Sequence, residues 1–339
     1  MPRDWSLGMT VHVVVPGRVN LIGDHTDYTG GLVMPMAIDR YTEIRGTRGG
    51  DRVHLTSFDE PDAVDLPLHV EHPEAVSPAW GRYVAGVIAE MPHAQGFTGH
   101  VTTDIPIGGG MSSSHALEVA VALALGFSGT PVELALLTQR AENRSSGVPT
   151  GIMDQLAIAA GVADHALLID CNELSVTPVA IPADLEIVVQ FIAPRTLVGS
   201  AYAERVAECA RAEALIGPLR HATVATAKTI DDPVLRARAM HVTSENLRVL
   251  EFAQALRAGR LIEAGVLMVQ SHHSLRDLYD TSTPAMDAAV AKLMATPGVY
   301  GARMTGGGFG GCVVALTEPA ALTTGWVVRA VDGAAVVSK

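Results

Sequence analysis

The sequence predicts a mixed α and β chain of two domains. Its 339 residues suit two units of roughly 100–200 residues each. The first half carries short β-branched runs bounded by glycine and proline, and the second half carries longer segments of helical apolar spacing. No repeat at a period of about 20–50 residues and no low-complexity stretch is present, which excludes a solenoid.

Residues 11–15 (VHVVV) read as a strand ended by Pro16-Gly17. Residues 41–47 and 52–57 are strands around a hairpin-like break at Gly49-Gly50-Asp51. Residues 100–107 place Val101, Thr103 and Ile105 on one face before Gly108-Gly109-Gly110, and 113–126 have helical composition with a closing glycine. Residues 203–216, 244–258 and 283–295 suit amphipathic helices. In the second of these, Leu247, Leu250, Ala253 and Leu256 form one apolar stripe and Gly259 is the cap. Residues 185–192 and 312–316 form a strand pair. The pattern is interrupted between Cys171 and Ala183 by Asn172-Glu173, Pro178 and Pro182, which divides the chain into domains 1–178 and 179–339.

Charge narrows the partners. Lys and Arg number 24 against 36 Asp and Glu, a net charge of −12, which repels a phosphate backbone. At 4% aromatics base-stacking platforms are lacking too, so no nucleic-acid partner is expected. Cys171, Cys209 and Cys312 are widely spaced, which fits a reducing compartment and gives neither a disulfide framework nor a zinc knuckle. The longest apolar run, 119–127, falls short of a membrane span, and the opening residues carry no secretory pattern. A cytoplasmic protein without a membrane partner is the expectation.

Four clusters carry chemistry. Residues 105–114 (IPIGGGMSSS) lead from a strand through glycines to hydroxyls at a helix start. Glycines admit close approach of backbone amides to an anion, and the helix N-terminus adds partial positive charge, so a polyphosphate fits. No lysine stands where a P-loop needs one, and the plainer alternative is a glycine turn with a serine cap. Residues 305–311 (TGGGFGG) contain G-x-G-x-x-G, but a β-like run follows instead of a helix, which argues against a dinucleotide fold and for a loop packed on a ligand or on another glycine loop. Residues 16–28 crowd Arg18, Asp24, His25 and Asp27 between turn formers. Such a loop can bond several sugar hydroxyls or be a solvated turn, and His25 with Asp27 supplies too few ligands for a metal. Glu142 precedes residues 147–155 (GVPTGIMDQ), where Asp154 is a candidate base or a helix cap. His272-His273 with Asp277 reads as a metal pair or as histidines satisfied in the core.

Together these segments resemble the galactokinases of the GHMP kinase superfamily. Residues 17–28 are similar to the galactokinase signature, 106–117 to the superfamily phosphate loop and 303–312 to its C-terminal glycine motif. Residues 80–88, 151–155, 200–205 and 271–279 add matches in family order. The resemblance implies an α+β fold with an N-terminal ribosomal-protein-S5-like domain and a C-terminal ferredoxin-like domain, the active site lying in the cleft between them. It implies ATP-dependent phosphorylation of the C1 hydroxyl of galactose. Asp154 would be the base, and Arg18 would stabilise the transferring charge. Ser114 and Glu142 would hold Mg²⁺. The amides of Gly108, Gly109, Gly110, Met111, Ser112 and Ser113 would meet the phosphates of ATP, with Trp80 and Tyr83 near its base. Asp24, His25, Asp27 and Tyr202 would grip the sugar.

Some positions depart from the family. Asp24 stands where most relatives have Glu, one methylene longer, which admits arabinose, N-acetylgalactosamine or another galactose-like sugar as the alternative substrate. Pro194-Arg195-Thr196-Leu197 replaces the usual residues near Tyr202. His115 takes the place of a small residue beside Ser114, and little room remains between Leu316 and Trp326 for a last helix. A galactokinase-like sugar sensor is the non-catalytic alternative, against which the retained Arg18, Ser114, Glu142 and Asp154 argue.

Overall fold

The structure, a computed structural model, describes residues 10–194 and 200–337. Arg195, Thr196 and Leu197, singled out above, lie outside the described residues, as do the opening ones. In chain order the first half contains β1 (Thr10–Ile22), β2 (Leu32–Arg48), β3 (Arg52–Ser57), β4 (Val64–Pro67), α1 (Gly81–Glu90), β5 (Phe97–Thr103), α2 (Ser113–Ala124), α3 (Pro131–Ser146), α4 (Met153–Ala159), β6 (His165–Asp170) and β7 (Ser175–Ala180). The second contains β8 (Glu186–Ala193), α5 (Ser200–Ile216), α6 (Val224–Ala227), α7 (Pro233–Arg257), α8 (Leu261–Asp277), α9 (Pro284–Met294), β9 (Val299–Thr305), β10 (Gly311–Thr317), β11 (Trp326–Val328) and β12 (Ala335–Val336).

One sheet runs β12-β1-β2-β5-β3-β4, with β6 joined to β2 and β7 to β6; the other runs β11-β8-β10-β9. The pairing of residues 185–192 with 312–316 is present as β8 against β10, antiparallel. The hairpin expected at Gly49-Gly50-Asp51 is not. β3 pairs in parallel with β5, and β5 pairs with β2, so β5 separates the two strands. A parallel neighbour needs a long crossover, and the chain supplies it through β4 and α1.

β1 does not end at Pro16-Gly17 but continues to Ile22. A register shift between those two residues absorbs the proline, the kind of break at which a strand tolerates one. β5 stops at Thr103, earlier than the expected 107. Residues 244–258 are the second half of a longer helix, α7, which Asp232 caps by accepting from the amides of Val234 and Leu235. Its apolar stripe is also corrected. Leu247 and Leu250 are exposed, whereas Val249, Phe252, Ala253 and Leu256 are buried, because α7 packs against α8, α5 and β2 on that face.

The larger core is built from β1, β2, α1 and α2, and extends to Phe252, Leu256 and Met268 on α7 and α8. A second core gathers Cys209, Leu235, Tyr279, Met286 and Met304. Burying each large apolar side chain contributes about 1.5–3 kcal/mol; β1, buried almost throughout its second half, is therefore a rigid base for Arg18 and Asn20.

Candidate active site

Arg18, on β1 just past the register shift, ties the phosphate loop to the start of α4. Its main-chain N–H donates to the Met111 carbonyl at 3.2 Å and its Nη1 to the Gly110 carbonyl at 2.6 Å. Gly17 makes this possible, since a Cβ there would lie 2.9 Å from the Met111 oxygen. The rest of the guanidinium forks onto Asp154, Nε to Oδ1 at 2.6 Å and Nη2 to Oδ2 at 2.5 Å, the bidentate geometry in which Arg binds carboxylate most strongly. Ser112, at the N-cap of α2 with a left-handed φ of 64°, donates its hydroxyl to Asp154 Oδ2 at 2.7 Å. His115 Nδ1 lies 3.5 Å from the same oxygen. Burial alone would raise the Asp154 carboxyl, but Arg18, His115 and Ser112 overcome it and hold it well below the usual carboxylate range.

Arg18, Asp154, Ser112, Ser113, Ser114, Gly108, Gly110, Trp80, Tyr83 and His115 line one cavity of about 480 Å³, closed on its other side by Phe191 and Pro194. Gly109 and Met111 belong to the same loop; Met111 is buried and serves through its carbonyl. Trp80 is fixed by donating Nε1–H to the Asp62 carbonyl at 3.0 Å. Glu142, on α3, is buried with Oε2 lacking a hydrogen-bond partner among the described residues, and Glu118, fully buried on α2, lies beside it. Burial first, then Glu142, pushes the Glu118 carboxyl well above its usual range, and Tyr83 is pushed up to about 12 by burial and by these two glutamates.

The sugar loop leaves β1 at Ile22. Asp24 is 2% exposed and turned toward the second domain's strands. Its Oδ2 accepts from Nη2 of the fully buried Arg303, and its Oδ1 from the Gly306 amide at 3.0 Å. Behind the loop, Glu245 accepts from the Gly23 amide at 3.0 Å and from the Ser271 hydroxyl. Although burial opposes it, Arg248, His241 and Arg303 push the Glu245 carboxyl down to about 2. Asp27 opens a 3₁₀ turn, Asp27–Thr29, and lines a neighbouring cavity of about 420 Å³ with Gly151. Burial and the nearby Asp154 push its carboxyl up to about 7. The rings of His25 and of Tyr202, on α5, lie 5.6 Å apart between centroids and are tilted by 40°.

Thus Arg18, Asp154, the serine-rich turn, Trp80 and Tyr83 converge on one cavity, while Asp24, His25, Asp27 and Tyr202 cluster around the loop beside it. Arg303, Glu245, His241 and the side-chain role of Ser112 were missed. The one signal for them was that Arg303 adjoins the TGGGFGG motif. That motif is a strand-loop-strand hairpin between β9 and β10, in keeping with the exclusion of a dinucleotide fingerprint. His272 is a core histidine, 3.2 Å from Asp287 through Nε2.

Comparison with known proteins agrees with this geometry. Residues 8–47 match the model of the galactokinase galactose-binding signature, 81–162 that of the GHMP kinases N terminal domain and 252–323 that of the GHMP kinases C terminal domain. The chain is 44% identical to a galactokinase of Roseiflexus sp. (strain RS-1) over 94% of its own length and 86% of that protein's. It is 41% identical to the galactokinase of Homo sapiens, covering 91% and 84%. It superposes on the crystal structure of Lactococcus lactis galactokinase complexed with galactose with a TM-score of 0.90 at 30% identity, covering 96% and 95% of the two chains. A mevalonate kinase structure, 21% identical with a TM-score of 0.65, shares the fold.

Proposed function

The chain belongs to the galactokinases of the GHMP kinase superfamily and phosphorylates galactose, and from that premise we propose that Arg18 and Asp154 stand where the γ-phosphoryl group of ATP passes to the C1 hydroxyl. The observation that carries this assignment is the bidentate Arg18–Asp154 pair, braced by Gly110 and Ser112 in the cavity that the serine-rich turn lines. Phosphoryl transfer asks for alignment and charge neutralisation more than for covalent chemistry. Arg18 neutralises the charge that develops on the moving group. A carboxylate held far below its usual range is a weak proton acceptor, so Asp154 orients the sugar hydroxyl and holds Arg18 in place. The amides of residues 108–113 bind the phosphates, and Trp80 and Tyr83 flank the nucleotide base.

The residues present fit a magnesium ion. Ser114 and Glu142 are hard oxygen donors, and Glu142 has a buried oxygen with no partner among the described residues. When bound there, Mg²⁺ supplies positive charge against the phosphates. Asp27, His25 and Tyr202 meet the sugar hydroxyls. Asp24 joins them through the second lone pair of an oxygen that Arg303 or Gly306 already engages. A division into two domains belongs to the same reading, supported by the change of sheet between β7 and β8; β7 runs to Ala180, past the expected 178/179 boundary, and β12 returns to the first sheet. A cytoplasmic site of action also belongs to this reading, supported by three cysteines that are buried and widely spaced; among the described residues no helix is long and apolar enough to cross a membrane.

The test is Asp154→Ala, assayed by ADP release with galactose and by calorimetric galactose binding. Turnover should fall by about 10²-fold or more while sugar affinity stays within about threefold, because the lost group acts on the reacting hydroxyl. Turnover within about tenfold of the parent overturns the assignment.

A further inference from the structure

His25 sits on left-handed backbone at φ 65°, a conformation that a histidine keeps only where its surroundings impose it. Its ring is boxed by tyrosines, with centroids 4.8 Å from Tyr279 and 5.9 Å from Tyr28. Nδ1 lies 3.0 Å from the Tyr28 hydroxyl, which lies 2.5 Å from the Tyr279 hydroxyl, which lies 3.0 Å from Cys209 Sγ. These four polar groups come from the sugar loop, the segment after α8, and α5. Burial pushes both phenols well above their ordinary range and the Cys209 thiol up to about 12, so all three remain protonated and neutral.

We propose that Tyr28 and Tyr279 are positioning residues for sugar recognition, because the row from Cys209 through Tyr279 and Tyr28 commits the His25 imidazole to one tautomer. Each hydroxyl in the row can donate once, so once Tyr28 donates to Nδ1 the other two links are fixed, Tyr279 donating to Tyr28 and Cys209 to Tyr279. The imidazole lone pair is the strongest neutral acceptor in it, and a thiol is both a weak donor and a weak acceptor. The row is therefore best satisfied when Cys209 donates to Tyr279, Tyr279 to Tyr28, and Tyr28 to Nδ1. Nε2 then carries the ring hydrogen and offers it to an oxygen of the sugar. This rests on the reading that His25 meets the sugar. It adds that the donor character of His25 is set by Tyr28, Tyr279 and Cys209.

The test combines ¹⁵N-histidine NMR of the full chain without substrate and steady-state kinetics on Tyr28→Phe, Tyr279→Phe and the double variant. In the parent, Nδ1 of His25 should resonate as an unprotonated nitrogen and Nε2 as a protonated one; in Tyr28→Phe the two tautomers should mix. KM for galactose should rise about five- to tenfold in Tyr28→Phe, the scale of one lost hydrogen bond, with kcat and KM for ATP within about twofold. Tyr279→Phe should have a smaller effect, and the double variant should be no worse than Tyr28→Phe, because both act through one row. A merely structural role would not move the tautomer. A hydrogen on Nδ1 of the parent overturns the proposal, as does an unchanged tautomer in Tyr28→Phe. If that variant fails to fold, the parent spectrum still decides the direction of the row. A separate His25→Ala variant with unaltered KM for galactose would retire the sugar contact while leaving the tautomer result standing.

Discussion

Asp27 offers a prediction with an unusual sign. Burial and Asp154 raise its carboxyl from an ordinary 3.8 to about 7, so the folded protein binds a proton there that the unfolded chain has released. Between roughly pH 4 and 7 the unfolded state binds fewer protons at this group, and its contribution to stability falls as pH rises. A shift of about three units at about 1.4 kcal/mol each is about 4 kcal/mol, which solvent at a half-buried side chain reduces to about 2. Asp27→Asn removes this term and should be the more stable protein at pH 8, the two converging near pH 4. With an unfolding entropy of roughly 2.1 cal/mol/K per residue, the gap at pH 8 corresponds to about 3 °C in Tm. Paired thermal melts of the two proteins at pH 4.5 and pH 8, without sugar, measure it. A Tm difference that does not change between the two pH values refutes the reasoning.

Gly151 has no room for a side chain, since a Cβ there would fall 1.8 Å from Asp27 Oδ2. Gly151→Ala should push the carboxylate aside and raise KM for galactose by about tenfold or more, which initial-rate kinetics at saturating ATP will measure. Asp24→Asn takes from the buried Arg303 guanidinium the carboxylate it donates to and should cost about 3–5 kcal/mol by urea denaturation. Adding Arg303→Met should recover much of that loss, and strictly additive effects would argue against direct coupling.

The elements that read clearly in the sequence are those whose signal is local. Ser113–Ala124 announced itself through a glycine turn, serines and helix formers, and the β8–β10 pair through short apolar runs. Pro16 and Gly17 looked like the end of a strand because the rule for proline in sheets is local too; only the partner strand β2, with its matching register shift, lets β1 continue. The stripe through Leu247, Leu250, Ala253 and Leu256 holds only in its second half, Leu247 and Leu250 being exposed, since which side of α7 is covered depends on α8, α5 and β2, far away in sequence. The candidate site behaved alike. Arg18, Asp154 and the serine-rich turn were legible through family motifs, and they do meet. Arg303 and Glu245 were not, because a charged residue on an ordinary strand or helix reads as solvent-facing until a partner such as Asp24 or Ser271 is brought to it by the fold.

The main-chain and side-chain bonds of Arg18 to the glycine-serine turn, made from the same residue that grips Asp154, have a consequence for redesign. On the proposed assignment, nucleotide and acceptor geometry share one anchor, which leaves no independent dial for either. Rewriting the turn to favour a different phosphate donor would also tilt the acceptor hydroxyl, and laboratory evolution toward a new donor should accumulate compensating changes in the 147–155 stretch.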